Sequence, residues 1–294
     1  MPRHVIAAAA RRRFLGGAAA LAAGVALAPV ALGQSSSRGR LFDCHCHIID
    51  HRFPVIANQG YTPPHFPLDV YRARAALLRV EGGAVVSGSF HGFDQTYLRA
   101  ALQKLGNGWV GVTQVPNDFP DKDIVELESL GVRALRFNLF RGRIDSVDDV
   151  VSLARRAHAA TGWHAEIYAD AATLAPHAAA LSKLPRIVID HLGMTEAGLP
   201  VVLDLVRAGA KIKATGFGRV KLDVASAIER IAKVNPAALM FGTDLPSTRA
   251  ERPFAVDDIS LIERVLGAEL AAKVYWDNAV DLYRPPGAEL EVCL

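Results

Sequence analysis

Cysteine is scarce in this chain: Cys44, Cys46 and Cys293 are the only three among 294 residues. So small and odd a count excludes a disulfide framework as the source of stability. An excess of charge of one sign is lacking too. The formal net charge is +3, but Arg3, Arg11, Arg12 and Arg13 lie within residues 1–33, which hold no acid, and the rest of the chain carries 29 bases against 30 acids. A chain so balanced has no general basic surface for phosphates, which excludes nucleic acid as an expected partner. There is no glycine-rich phosphate loop, which argues against a nucleotide-binding open sheet. No domain linker or low-complexity tract follows the run Ser35–Ser37. What the chain does have is 51% hydrophobic and 21% charged residues, a composition that supports one sizeable core.

The first residues read as an address. Arg11-Arg12-Arg13-Phe14-Leu15 precedes an Ala/Gly/Leu stretch that runs to Leu32, followed by Gly33-Gln34 and the serines. That order of positive, apolar and small residues is a secretory signal. Arg11-Arg12-x-Phe14-Leu15 resembles the twin-arginine type, which implies recognition by export machinery and a periplasmic or otherwise exported product. Cleavage is expected at Ala31-Leu32-Gly33, which divides the chain into a signal over 1–33 and one domain over 34–294. An uncleaved membrane anchor is the alternative, but Gly, Ala and Pro29 leave the run weakly hydrophobic.

After residue 40, short β-rich runs alternate with stretches of helical period. Strands are expected at 41–48, 83–89, 109–115, 134–139, 163–169, 187–191, 211–215 and 239–243. Helices are expected at 68–80, 95–105, 121–130, 147–161, 171–184, 199–208 and 224–234, with one or two closing helices over 257–283. Eight βα units in about 250 residues predict an α/β fold, a single-domain (β/α)8 TIM barrel. The irregular segment 49–67 follows the first strand, on the barrel face where long loops shape a site.

The polar residues collect at strand ends. His45 and His47 are two apart on strand one, so their rings project the same way. The intervening Cys44 and Cys46 are expected to face away and pack between barrel and helices. Strand six ends in Asp190-His191 and strand eight in Thr243-Asp244. In a closed barrel strand eight lies beside strand one, and these strand ends share the C-terminal face where TIM-barrel active sites form.

On these motifs (Asp43-x-His45-x-His47, Ile189-Asp190-His191-Leu192-Gly193 and Phe241-Gly242-Thr243-Asp244) the chain resembles the amidohydrolase superfamily over nearly all of 41–284. Gly60-Tyr61-Thr62-Pro63-Pro64, Ser89-Phe90-His91-Gly92 and Arg133-Ala134-Leu135-Arg136-Phe137-Asn138 are similar to the amidohydrolase-2 group, and within it to 2-pyrone-4,6-dicarboxylate lactonase-like proteins. The resemblance implies a hydrolase that opens a small carboxylated lactone or cyclic ester, with Asp244 as general base. It implies His45, His47, His191 and Asp244 as ligands of one divalent ion, zinc or manganese. It implies equally a metal-free variant in which the same histidines polarise the carbonyl. Strand four reads Arg136-Phe137-Asn138-Leu139, without the Lys that bridges two metals in many relatives, so a two-metal site is not expected. Asp43 is expected to be structural.

Arg136 would offer an inward-facing fork to a substrate carboxylate. Arg219 and Arg141 are weaker candidates for the same role, and Tyr61, Ser89, His91 and Tyr168 would complete the substrate cradle. His164 and Glu166 share a face with Tyr168, and Lys213 would pair with Glu166 if both point inward. Two other functions fit the framework: metal-dependent decarboxylation of an unsaturated or aromatic acid, and an exported binding protein without catalysis.

Overall fold

The computed structural model describes residues 39–141 and 146–287. The signal expected over 1–33, its cleavage site and Cys293 lie outside the described residues.

Eight strands form one parallel sheet in sequence order. They are β1 (Leu41–Cys46), β2 (Val80–Val86), β3 (Trp109–Thr113), β4 (Val132–Asn138), β5 (His164–Tyr168), β6 (Ile187–Ile189), β7 (Lys211–Ala214) and β8 (Leu239–Phe241). Between them run α1 (Leu68–Leu78), α2 (Thr96–Leu105), α3 (Asp121–Ser129), α4 (Val147–Thr161), α5 (Ala178–Leu181), α6 (Leu199–Arg207) and α7 (Val224–Val234). The chain closes with α8 (Val256–Ala272) and α9 (Asn278–Tyr283). The result is a nearly closed eight-stranded barrel ringed by helices, the arrangement of a TIM barrel.

Local chemistry sets the boundaries. Ser146 caps α4 by accepting the Asp149 N–H at 3.1 Å, Asp148 and Asp149 sit in its first turn, and Gly162 ends it in the left-handed region. The expected second strand begins three residues early because Arg79 adopts φ 62°, stops α1, and turns the chain directly into Val80. The helix expected over 171–184 is broken: Pro176 cannot donate a backbone hydrogen bond, so Ala171–His177 winds as a tighter turn and only Ala178–Leu181 is α-helical.

Two apolar layers hold the barrel. The larger lies between strands and helices and includes Val85, Leu98, Phe137, Ile167, Ile189 and Ile228. The smaller joins Phe42, Val86, Val112, Val188 and Met240 to Tyr283 of α9. Both cysteines are buried and free. Cys46 packs in the outer layer as expected, but Cys44 belongs to the smaller cluster. The register of β1 against β2 is irregular between Asp43 and Cys46, so simple alternation of faces fails there.

The C-terminal segment crosses the N-terminal end of the strands, where the Gly108 N–H donates to the Pro286 carbonyl at 2.8 Å. From α9 the buried Tyr283 hydroxyl donates to Glu166 Oε1 at 2.5 Å. Tyr283→Phe leaves that carboxylate oxygen short of a donor, and we expect a loss of about 1–3 kcal/mol in urea unfolding. An unchanged unfolding midpoint would show that the contact does not fasten α9 to the barrel.

Candidate active site

No ladder joins β8 to β1; the seam is closed just beyond it. The Asp244 N–H donates to the His45 carbonyl at 2.7 Å and the His47 N–H to the Leu245 carbonyl at 2.8 Å. Beneath them the wholly buried Asp43 carboxylate accepts four hydrogen bonds. They come from the Thr243 N–H (2.8 Å), the Thr243 hydroxyl (2.6 Å), the Tyr71 hydroxyl (2.8 Å) and the His45 N–H (3.2 Å). Burial pushes the pKa of Asp43 up and these donors pull against it. Asp43 therefore fastens β1, β8 and α1 together, the structural part expected of it. A side chain at Gly242 would place Cβ 2.7 Å from the His45 nitrogen and 3.1 Å from Asp43 Oδ1, so only glycine lets the two strands approach.

The seam presents the functional groups. His45 lies in β1 and His47 just past it; His191 opens the turn after β6, and Asp244 follows β8. His191 and Asp244 hold φ values of 50° and 56°, uncommon for side-chain-bearing residues and costing on the order of 1 kcal/mol or more each. The surroundings compensate: His191 Nδ1 meets the Thr215 hydroxyl at 2.7 Å, and the Asp244 carbonyl accepts the Ser247 N–H at 2.6 Å.

Asp244 has two different oxygens. Oδ2 accepts Arg219 Nε–H at 2.8 Å and a second bond from Arg219 Nη2. Oδ1 is buried without a hydrogen-bond partner, 3.8 Å from His45 Nε2 and 3.7 Å from His47 Nε2. Burial alone would raise the pKa of Asp244, but Arg219, His191, His47 and His45 outweigh it and hold the carboxyl well below the usual carboxylate range. Asp244 is thus an ionised carboxylate with one free acceptor.

A second layer lies deeper. Lys213 is fully buried, with Nζ 2.5 Å from Glu166 Oε2, 3.1 Å from His45 Nδ1 and 3.5 Å from Asp190 Oδ1. Glu166 Oε1 also faces His164 Nε2 at 3.1 Å. Lys213 and Glu166 pair as the strand pattern suggested.

Above these groups a cleft of about 360 Å³ opens, lined by His47, Tyr61, Ser89, Arg136, Tyr168, His191, Arg219 and Asp244 among others. Of the predicted site residues the lining holds all but His45, which is fully buried with Nε2 3.8 Å from Asp244 Oδ1, and His91; Arg136 also differs from expectation. His91 is absent from the lining. Its Nδ1 accepts the Gly88 N–H at 3.0 Å, its Nε2 donates to the Ile48 carbonyl at 3.0 Å, and its ring stacks on Tyr97 at 3.7 Å. With both nitrogens committed to backbone, His91 braces the β1 and β2 loops instead of meeting substrate. Arg136 points inward but is not a free fork: Nε and Nη2 reach Asp190 Oδ2 at 3.1 Å, and Nη1 donates to the Ser87 carbonyl at 3.1 Å. Arg219 is likewise engaged, by Asp244.

Of the four arginines that line the cleft, Arg141 and Arg249 have no carboxylate partner among the described residues. Arg249 lies 4.4 Å over the Tyr61 ring and bonds Asn58, tying the loop after β8 to segment 49–67. Its pKa is lowered by burial and by the charge of Arg141, as expected of two cations that share a space suited to an anion. Arg249 carried no sequence signal: it lies five residues beyond Asp244, in no recognisable motif.

Comparison with known proteins decides the family. The amidohydrolase family model matches residues 42–284. The chain belongs to the amidohydrolase family. It is accordingly an enzyme, a hydrolase. This amidohydrolase is 27% identical to the 2-pyrone-4,6-dicarboxylate hydrolase of Comamonas testosteroni, over 83% of its own chain and 90% of that relative. It is also 27% identical to the 4-sulfomuconolactone hydrolase of Rhizobium radiobacter, over 82% and 89%. A solved structure from Pseudomonas putida, a putative 2-pyrone-4,6-dicarboxylic acid hydrolase, superposes with a TM-score of 0.73 at 25% identity, covering 83% of this chain and 97% of that one.

His45, His191 and Asp244 offer one ligand atom each within 4.8 Å of one another, a set that could hold a metal ion. The groups behind the rings fit such an ion unevenly. A ligating imidazole ordinarily donates its far N–H to an acceptor. His47 does so, from Nδ1 to the Val86 carbonyl at 2.7 Å, and the Thr215 hydroxyl can serve His191. His45 instead backs onto Lys213, which has nothing to accept with. The ligand set is present, but the protonation that metal binding requires of His45 is opposed.

Burial holds His191 neutral, with its pKa lowered to about 3, and lowers His45, His91 and His164 as well. The unfolded chain protonates these groups near 6.5, so below that pH the unfolded state binds more protons and is favoured. Stability contributed by the neutral histidines is present above pH 6.5 and lost as pH falls toward 3. We expect urea midpoints to fall steadily from pH 6.5 to 4.5, before carboxylates titrate. A flat profile over that window would contradict the buried neutral assignment.

Proposed function

We propose that this amidohydrolase opens a small lactone carrying at least two anionic groups, with Asp244 as general base. The observation that carries the reading is the unpartnered Asp244 Oδ1 at the base of a cleft whose unpaired cations are Arg141 and Arg249. The names of the relatives, a dicarboxylate pyrone hydrolase and a sulfomuconolactone hydrolase, support the same chemistry.

Arg249 and Arg141 bind the substrate's anionic groups at the mouth, and the remaining Nη hydrogens of Arg136 and Arg219 face it from the wall. Such forks recognise planar carboxylates or sulfonates and align the ring ester over Asp244. Asp244 Oδ1 accepts a proton from water held beside His47 Nε2. The water oxygen attacks the lactone carbonyl, the charge passes to the carbonyl oxygen, and protein donors stabilise it there. The ring C–O bond then breaks, and Asp244 returns the proton to the leaving oxygen. The product is a ring-opened acid. Arg219 keeps Asp244 ionised and oriented by occupying Oδ2, so Oδ1 remains the reacting atom.

A panel of anionic and neutral lactones tests this directly. We expect hydrolysis of dianionic ring esters, a drop of about 10³-fold in kcat for Asp244→Asn, and for Arg249→Met a tenfold or greater rise in KM with kcat nearly kept. Release of carbon dioxide, or no turnover of any anionic lactone, would overturn the reading.

We propose separately that residues 1–33 direct export, on the strength of the Arg11-Arg12 motif and the apolar run behind it. N-terminal sequencing of periplasmic protein should begin near Gln34, and replacing Arg11 and Arg12 by Lys should retain the protein in the cytoplasm. Unaltered export of that variant would contradict the twin-arginine reading.

A further inference from the structure

The three imidazoles around Asp244, His47 and His191 lining the cleft and His45 buried beneath it, have three different groups at their backs. A backbone carbonyl only accepts, so the 2.7 Å contact of His47 Nδ1 with the Val86 carbonyl places the ring proton on Nδ1 and a lone pair on Nε2. A hydroxyl can donate or accept, so Thr215 leaves His191 undecided. A lysine ammonium only donates. Lys213 Nζ stands 3.1 Å from His45 Nδ1, so that nitrogen must accept and the ring proton must sit on Nε2. The competing neighbour, Asp190 Oδ1, is farther at 3.5 Å and has no hydrogen-bond partner.

We propose that Lys213 is a positioning residue that fixes the tautomer of His45, holding its proton on Nε2 so that His45 faces the substrate as a hydrogen-bond donor. The inference rests on the hydrolytic reading of the site and adds to it a division of labour. His47 Nε2 and Asp244 Oδ1 are acceptors, suited to the two hydrogens of a water. His45 Nε2–H is the donor, 3.8 Å from Asp244 Oδ1 and buried without a partner. A carbonyl oxygen entering beside it gains a donor as negative charge develops. His45 Nε2 in this form has no lone pair to give an ion.

Lys213 itself cannot turn away. Glu166 Oε2 holds Nζ at 2.5 Å and Asp190 Oδ1 lies at 3.5 Å on the other side. Glu166, Asp190 and His45 also form a set that could surround a cation, and the ammonium is the cation they surround.

Two-bond proton–nitrogen correlation spectra of the native protein test the assignment without altering the network, with His45 identified by the signal lost in His45→Asn. The expected pattern is a protonated Nε2 and an unprotonated Nδ1 for His45, and the reverse for His47. Protonation of His45 on Nδ1, donating to Asp190, would overturn the proposal whatever the enzyme's substrate proves to be. In kinetics, the charge-balanced pair Lys213→Met with Glu166→Gln should lower kcat by about 10²-fold with KM within about threefold, since one oxyanion donor is misplaced and the arginines are untouched. It should also lose the Nε2–H pattern in the spectrum. A folded double variant that keeps both kcat and the native tautomer would equally refute the role of Lys213.

Discussion

A lysine ammonium with no solvent exposure, in the interior of a barrel, requires carboxylates around it, because a buried unpaired charge costs several kcal/mol. Much of the site follows from that requirement at Lys213. Glu166 and Asp190 supply the charge, and burial of the amine is overcome by their attraction, so Lys213 keeps its proton more tightly than usual. The acids then need further partners. Asp190 takes Arg136 and Glu166 takes His164 and Tyr283. One cation thus organises residues from β4, β5, β7 and α9 and ends at His45 on β1. Removing a single member leaves another buried and unmatched, so the network behaves as one unit.

The outer end of the site depends on a different constraint, closure of the β8–β1 seam. The strands do not pair by a ladder there. Asp43, Gly242 and the backbone bonds of His45 and Asp244 join them, and the same residues carry the reactive groups outward. Left-handed conformations at His191 and Asp244 are held by these surroundings. Fold closure and the geometry of the candidate site therefore share atoms. A change that loosens the seam should disturb Asp244 before it disturbs the barrel.

Much of this was legible in the sequence, and the failures have physical causes. The eight strands and the fold class followed from β-rich runs alternating with helical periods, because most strands carry buried β-branched or aromatic residues and the longer helices such as α4 and α7 bury one apolar face. Pro176 broke a helix that periodicity alone had extended, and the irregular register in β1 put Cys44 on the inner side. His45, His47, His191, Arg136 and Asp244 could be expected to gather because they lie at or near the C-terminal ends of strands, which converge in a barrel. The pairing of Lys213 with Glu166 could be read from inward faces, but its contact with His45 could not, since that depends on packing across 168 residues of chain. His91 was misplaced because a motif gives a residue's neighbourhood and not its hydrogen bonds. Arg249 was missed because it lies in an irregular loop with neither period nor motif.

In the proposed reaction the barrel's own side chains supply the base, the donors and the anion clamp. In that reaction these protein groups, not a bound ion, activate the lactone. Metal content and lactone hydrolysis, measured on the purified enzyme before and after chelation, test that assignment. Hydrolysis should survive chelation at unchanged kcat, with metal well below one equivalent per chain. Close to one zinc or manganese per chain, with activity abolished by chelation and restored by adding that metal back, would contradict it.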